Sequence, residues 1–224
     1  MIDELYLWKL SHKQRLASIF LNKLTSKIVI IIGTVFIFLS SGCSLLHPAA
    51  VNEPNLYTLN YVPNKITGRQ HTNLSLLVMP TDADPALTDQ DMLYSRKPHE
   101  INHFSKNSWV AAPPKMLTSL ITRTLQDSGY YKAVIMAPFS GDVDLRLYTH
   151  LYQMQQEFLY KPSIVRISLA AQLVNANTGK IKAAKQFQLI EVAPQNNPYG
   201  GVVAMNHAVS KLIQQILKFC MQHS

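Results

Sequence analysis

Cys43 carries the plainest chemistry in this chain. It closes the uncharged run Ile28–Cys43 (IVIIIGTVFIFLSSGC), directly after Ser41 and Gly42. A thiol in that setting can take a diacylglycerol through a thioether. The small residues before it let a signal peptidase reach the preceding bond, and the amine freed at Cys43 can take a further acyl chain, palmitate among the candidates. Several acyl chains on one residue hold a protein stably in a membrane, at roughly 0.8 kcal/mol for each buried CH₂. Lys23 and Lys27 form the basic flank that stays in the cytoplasm. Ser40 stands where such motifs usually have Leu, Leu39 lies one place early, and 27 residues precede the run. The run also reads as an uncleaved anchor. Ile28–Leu46 is 19 residues without a charge, close to the roughly 20 that a spanning helix needs. Either way the rest of the chain lies outside the inner membrane.

A second candidate is His99–His103, HEINH. On a helix, two histidines four residues apart can share a zinc ion while the glutamate serves as base, the chemistry of a zinc hydrolase. His99, Glu100 and His103 supply that set. The surroundings oppose it. Pro98 stops a helix from arriving upstream, and Lys106 and Trp109 stand where a third ligand motif would fall. On a strand, His99 and His103 would lie about 13 Å apart at roughly 3.3 Å per residue, too far for Zn–N bonds of about 2 Å. No metal, catalytic residue or cofactor is therefore assigned. His150 falls on an expected strand and His207 on an expected helix, near no paired carboxylate in sequence. Asp142 and Asp144 mark a turn. Cys220 ends an apolar helical face and reads as a small core residue.

Composition bounds the setting for these groups. Residues 1–42 read as a lipoprotein signal peptide, 43–54 as a lipidated tether and 55–224 as one domain. Removing the first segment leaves 182 residues, enough for a real core. That segment takes five of the 21 basic and two of the 13 acidic residues, so the remainder carries +5. The charge is mild and scattered, with no Lys/Arg block or Arg-aromatic stripe of the kind that binds nucleic acid. With Cys43 acylated, Cys220 has no partner, and the core rather than disulfides must hold the domain.

The elements follow from periodicity. Leu56–Tyr61 and Leu74–Met79 read as strands, and Met92–Arg96 with Glu100–Ser105 as a hairpin. Pro113-Pro114 opens a helix over Lys115–Ser128 that Gly129 ends. Its stripe is Met116, Leu117, Leu120, Ile121, Thr124 and Leu125, with Ser119, Thr122, Arg123 and Gln126 opposite. Tyr131–Met136 is a further strand. Val143–Tyr152, Ile164–Val174 and Ile181–Val192 alternate as an antiparallel meander, with Asn175–Gly179 as hairpin-turn chemistry. Pro198–Gly201 breaks the chain before a helix over Val202–Phe219. Two one-sided helices and these strands predict an α+β fold: a largely antiparallel sheet of about five to seven strands, with both amphipathic helices packed on one face. The opposite face then stays free. It carries Tyr148, His150, Tyr152 and Arg166, an aromatic and basic mixture that suits an interface, although a merely solvated face reads the same way.

The chain resembles the ABC-type transport auxiliary lipoproteins over roughly Asn55–Phe219. The resemblance rests on Tyr57-Thr58-Leu59, Leu77–Pro80 (LVMP), Met92–Arg96 (MLYSR), Trp109 with Pro113-Pro114 and the following helix, the Thr178-Gly179-Lys180 turn and the final helix. It departs at Ala111-Ala112, where such proteins often carry an acidic residue. The resemblance implies a non-enzymatic auxiliary component of an ABC transporter system for intermembrane lipid transport. It implies an MCE-type periplasmic lipid-binding partner and a homo-oligomeric, ring-like state. It also implies a lipid anchor at the periplasmic face of the outer membrane of a Gram-negative bacterium, which Ser44, rather than Asp, after Cys43 favours. A purely structural envelope lipoprotein is the remaining alternative beside the zinc hydrolase.

Overall fold

A computed structural model of the protein describes residues 53–60 and 71–224, with Lys27 upstream of them. Cys43, the apolar run before it and most of the tether lie outside the described residues. Asn52–Ser224 forms a compact unit.

The spine of that unit is one long strand, Leu145–Glu157. In chain order the strands are β1 (Asn55–Tyr57), β2 (Ser75–Val78), β3 (Asp82–Ala83), β4 (Asp91–Ser95), β5 (Asn102–Trp109), β6 (Ala133–Met136), β7 (Leu145–Glu157), β8 (Ile164–Asn175) and β9 (Ile181–Val192). The helices are α1 (Pro113–Asp127) and α2 (Pro198–His223). Along one edge β7 pairs antiparallel with β8 for its whole length, and β9 continues the meander. Along the other edge β7 takes three short strands in succession, all parallel: β2 at Leu145–Leu147, β3 at His150–Leu151 and β4 at Gln155–Glu157. β6 then pairs with β2, and β5 pairs with β4 and β1. The class is α+β as the sequence indicates. Among the described residues the sheet has nine strands, more than the expected five to seven. Its antiparallel character resides in the meander and the β4–β5 hairpin, with the short parallel pairings added.

Alternation decides which face is covered. Leu145, Leu147, Thr149 and Leu151 of β7 are buried, as are Val165, Ile167, Leu169, Ala171 and Leu173 of β8. Both helices pack over this face. The α2 stripe Val202, Met205, Val209, Leu212, Ile213, Ile216 and Cys220 joins the same core as Leu117, Ile121 and Leu125 of α1. Burial raises the pKa of the Cys220 thiol to about 12, which leaves it inert at neutral pH.

Two helix readings need correction. Pro198–Gly201 does not break the chain; it is the first turn of α2. Proline lacks an N–H that the first turn could not have paired, and the Asn197 side chain caps the turn by accepting from the Gly200 N–H at 2.8 Å. Gly201 packs against Gln156, and a Cβ there would overlap its Oε1. Thr122 is not on the solvent face of α1 but buried, its hydroxyl donating to Thr118 O at 2.8 Å. Thr118 in turn accepts from the Thr81 N–H, and the Thr81 hydroxyl lies 2.8 Å from that of Thr149, so a buried threonine chain ties α1 to β7. The capping of α1 fits expectation: Gly129 follows it at φ +63°, where other residues are strained.

Candidate functional site

The candidate surface is the open face of the meander, and β7 sets its geometry. Tyr148 and His150 point away from the helices because their neighbours Leu147, Thr149 and Leu151 point into the core. Pairing with β8 skips a residue between Leu151 and Gln153, so Tyr152 occupies a β-bulge. Alternation already puts Tyr152 on the open side, and the extra residue shifts the phase after it, so that Met154 rather than Gln153 is buried. Its ring centroid lies 4.5 Å from that of His150. Tyr148 and Tyr152 are 39% and 45% exposed, enough for both rings to be offered to a partner.

His150 is held from both sides. β3 pairs with β7 so that Asp82 stands opposite His150. His150 Nδ1 lies 3.1 Å from Asp82 Oδ2, and Nε2 lies 2.9 Å from Asp84 Oδ1. Two carboxylates can be satisfied together only if both ring nitrogens carry protons. The hydrogen bond to Asp84, with that to Asp82 and the charges of both, raises the imidazole above its ordinary range. The clamp also pins the segment between β3 and β4, since the Asp84 N–H donates to Leu151 O at 3.0 Å.

Arg166 belongs to a different contact. Its Nε donates to Glu157 Oε1 at 2.8 Å and its Nη2 to Oε2 at 3.0 Å. This bidentate pair, with side chains 18% and 9% exposed, keeps the guanidinium charged and occupied within the chain. Register places Arg166 opposite Gln155 and Ala170 opposite His150, so Arg166 stands about 13 Å along the strand from the histidine. The structure therefore joins Tyr148, His150 and Tyr152 and sets Arg166 apart.

Between the two groups the open face is concave. A cleft of about 410 Å³ runs past Asp84, Leu93, Tyr152 and Ser168, and one of about 320 Å³ past Lys97, Glu157 and Leu159; both are lined by Ile101, Gln153 and Gln155. Sequence reasoning missed this concavity and the Asp82–His150–Asp84 clamp. The aspartates lie in a Pro/Asp-rich stretch that reads as loop, and only the pairing of the two-residue strand β3 brings them to the histidine.

The HEINH segment forms no helix. His99 sits in the β4–β5 turn at φ +63°, while His103 is on β5 opposite Leu93, with 65% of its side chain exposed. The Glu100 carboxyl is held below its usual range by a hydrogen bond from Asn102 and by the turn backbone. Among the described residues, no group of three or more His, Cys, Asp or Glu could hold a metal ion. Asp144 stands at a bend just before β7, its carboxylate accepting from the Ser75 N–H and hydroxyl at 2.8 and 2.7 Å, which fastens the start of β2.

Upstream, β1 is fastened to α2. Asn206 accepts from the Asn60 N–H at 2.7 Å and donates to Thr58 O at 3.3 Å, while the Tyr57 ring meets that of Tyr199 at 6.2 Å. The segment Asn55–Asn60 is thus part of the folded unit.

No curated protein matches the chain. It is similar in structure to protein XCC0632 from Xanthomonas campestris, assigned to the DUF330 family, with 15% identity and a TM-score of 0.70, covering 75% of this chain and 96% of that one. An uncharacterized protein matches with a TM-score of 0.59 at 15% identity, over 75% of this chain and 99% of that one. At such identities the likeness speaks to the fold alone. The family model described as ABC-type transport auxiliary lipoprotein component matches residues 57–217, from Tyr57 in β1 to Leu217 near the end of α2. The chain belongs to the family of ABC-type transport auxiliary lipoprotein components.

Proposed function

We propose that this protein is a non-enzymatic adaptor, anchored by lipid on Cys43 at the periplasmic face of the outer membrane. There it docks an MCE-type lipid-binding protein of an ABC transport system that moves lipids between the two membranes. The observation that carries this reading is the family match, which spans nearly all of the folded unit Asn52–Ser224 and lies downstream of a lipid-attachment motif. The open face supports it chemically. Tyr148 and Tyr152 offer large rigid rings, and His150 is fixed between carboxylates, the properties of interface anchors rather than of a mobile catalytic group. The domain works as a homo-oligomer presenting several copies of that face.

Two measurements test the reading on the full chain. Palmitate labelling in cells should mark the wild type and not Cys43→Ser, because serine cannot form the thioether, and the variant should accumulate as unprocessed precursor. Label retained in the variant would overturn the anchor. Affinity purification of the wild type should bring down the neighbouring MCE protein or the ABC subunits. Recovery of neither from a cross-linked envelope would overturn the adaptor role.

A further inference from the structure

The end of the sheet at which β7 stops gathers exposed apolar side chains. The turn joining β7 to β8 carries Leu159 and Tyr160, the turn joining β4 to β5 carries Ile101, and the last residues of β9 contribute Ile190 and Val192. These five are between 42% and 60% exposed. Pairing brings them to one end. Ser95 stands opposite Glu157, and the Phe158 N–H donates to Ser95 O at 2.8 Å, so the two turns adjoin. Ile164 joins Glu157 to Val192 across the meander. Ile101 and Leu159 also line one cleft together. Single exposed apolar residues are ordinary; a gathered set on adjacent turns marks a contact surface.

Three exposed cations, Arg96 and Lys97 on one turn and Lys161 on the other, flank the set. Of the nearby carboxylates, Glu157 pairs with Arg166 and Glu191 with Lys211, while Glu100 lies in the same turn as Arg96 and Lys97 and offsets one of the three charges. Apolar residues with a tyrosine, edged by exposed cations, match the interfacial zone of a bilayer. There apolar groups enter the acyl boundary and basic groups meet anionic headgroups.

The chain direction supplies the occupant. β1 runs parallel to β5, with Asn55 level with Asn107. The backbone entering β1 therefore comes from the side of Asn102, which is the β4–β5 turn and the apolar end. Asn55 is five residues up the strand from that end, about 17 Å. From Cys43 to Asn55 the chain can span at most about 40 Å when extended. A lipid on Cys43 is thus within reach of a bilayer touching this end, whereas the opposite end, at Ile181 and the β8–β9 turn, points the other way. We infer that the rim of Ile101, Leu159, Tyr160, Ile190 and Val192 seats the domain on the membrane that holds its anchor, with Arg96, Lys97 and Lys161 on anionic headgroups. This rests on Cys43 being the lipidated residue.

The test uses the processed full-length protein in vesicles of phosphatidylethanolamine and phosphatidylglycerol. A polarity-sensitive thiol probe is placed at Leu159→Cys, at Val192→Cys as a second rim position, or at Ile181→Cys as the remote control. Acylated Cys43 offers no thiol, and Cys220 is fully buried. Lipids bearing a spin label near the headgroup should quench both rim probes about three-fold more than the control, since interfacial groups sit roughly 5–10 Å into the boundary. Protein that floats with the vesicles while rim and control probes stay equally unquenched overturns the rim alone, as it would if a protein partner covers this end. Protein that does not float removes the anchor, and the rim proposal with it.

Discussion

At the residue scale, His150 and Arg166 look alike in sequence, as basic residues on alternating strands, yet they do different work. The imidazole of His150 is raised by Asp84 and Asp82, so its contribution to stability is complete below its unfolded value near 6.5. That contribution is lost as pH rises through the higher folded value. NMR titration should therefore show His150 above 6.5 in the wild type and back in the ordinary range in the double variant Asp82→Asn, Asp84→Asn. Between pH 6 and 8 the stability of the wild type should fall more than that of the variant; parallel curves would show that the clamp does not titrate. Arg166 answers to a different rule. Its removal leaves Glu157, 9% exposed, without a counter-charge, so Arg166→Ala should cost about 3 kcal/mol in denaturant unfolding, the lower end of the range for breaking a buried pair. Adding Glu157→Gln should restore part of the loss. A single variant as stable as the wild type would show the pair to be only a surface contact.

At the element scale, the features that local sequence dictates were legible. Alternation gives β7, β8 and β9, and the stripes give both helices. Asn175 signals the β8–β9 turn, where its side-chain oxygen accepts from the N–H groups of Asn177 and Thr178. What was not legible depends on partners far along the chain. Pro198, Gly200 and Gly201 read as a break, because their value lies in fitting under Gln195 and Gln156 rather than in propensity. Gln156 cannot swing aside freely, since its Nε2 donates to Ser163 Oγ at 2.9 Å and to Asn197 O at 3.1 Å. Gly201→Ala should accordingly cost about 1–3 kcal/mol, a fall in Tm of roughly 3–9 °C. A variant that melts with the wild type would show that the α2 terminus is looser than its packing. Thr122 likewise reads as solvent-facing by its type, and it is buried because its hydroxyl finds a carbonyl within the helix.

At the scale of the whole molecule, the order of strands along β7 governs what the protein can present. Parallel pairing of β2, β3 and β4 on a single edge joins segments distant in sequence, and no local pattern announces it. The free face of the meander could be read from alternation, and with it Tyr148, His150 and Tyr152. The clefts beside them follow from the β4–β5 hairpin, and the separation of Arg166 from them follows from the β7–β8 register and the Glu157 pair. Family membership agrees with a protein that works by contact, and the aromatic pair on β7 is where that contact is assigned. Binding of the full-length protein to the proposed MCE-type partner, wild type against Tyr148→Ala/Tyr152→Ala, tests that assignment most directly. Both rings are partly exposed and outside the core, so the double variant should keep the wild-type Tm. Loss of two anchors worth about 2 kcal/mol or more each should weaken binding by at least a hundredfold. Unchanged affinity in a folded double variant would contradict the account.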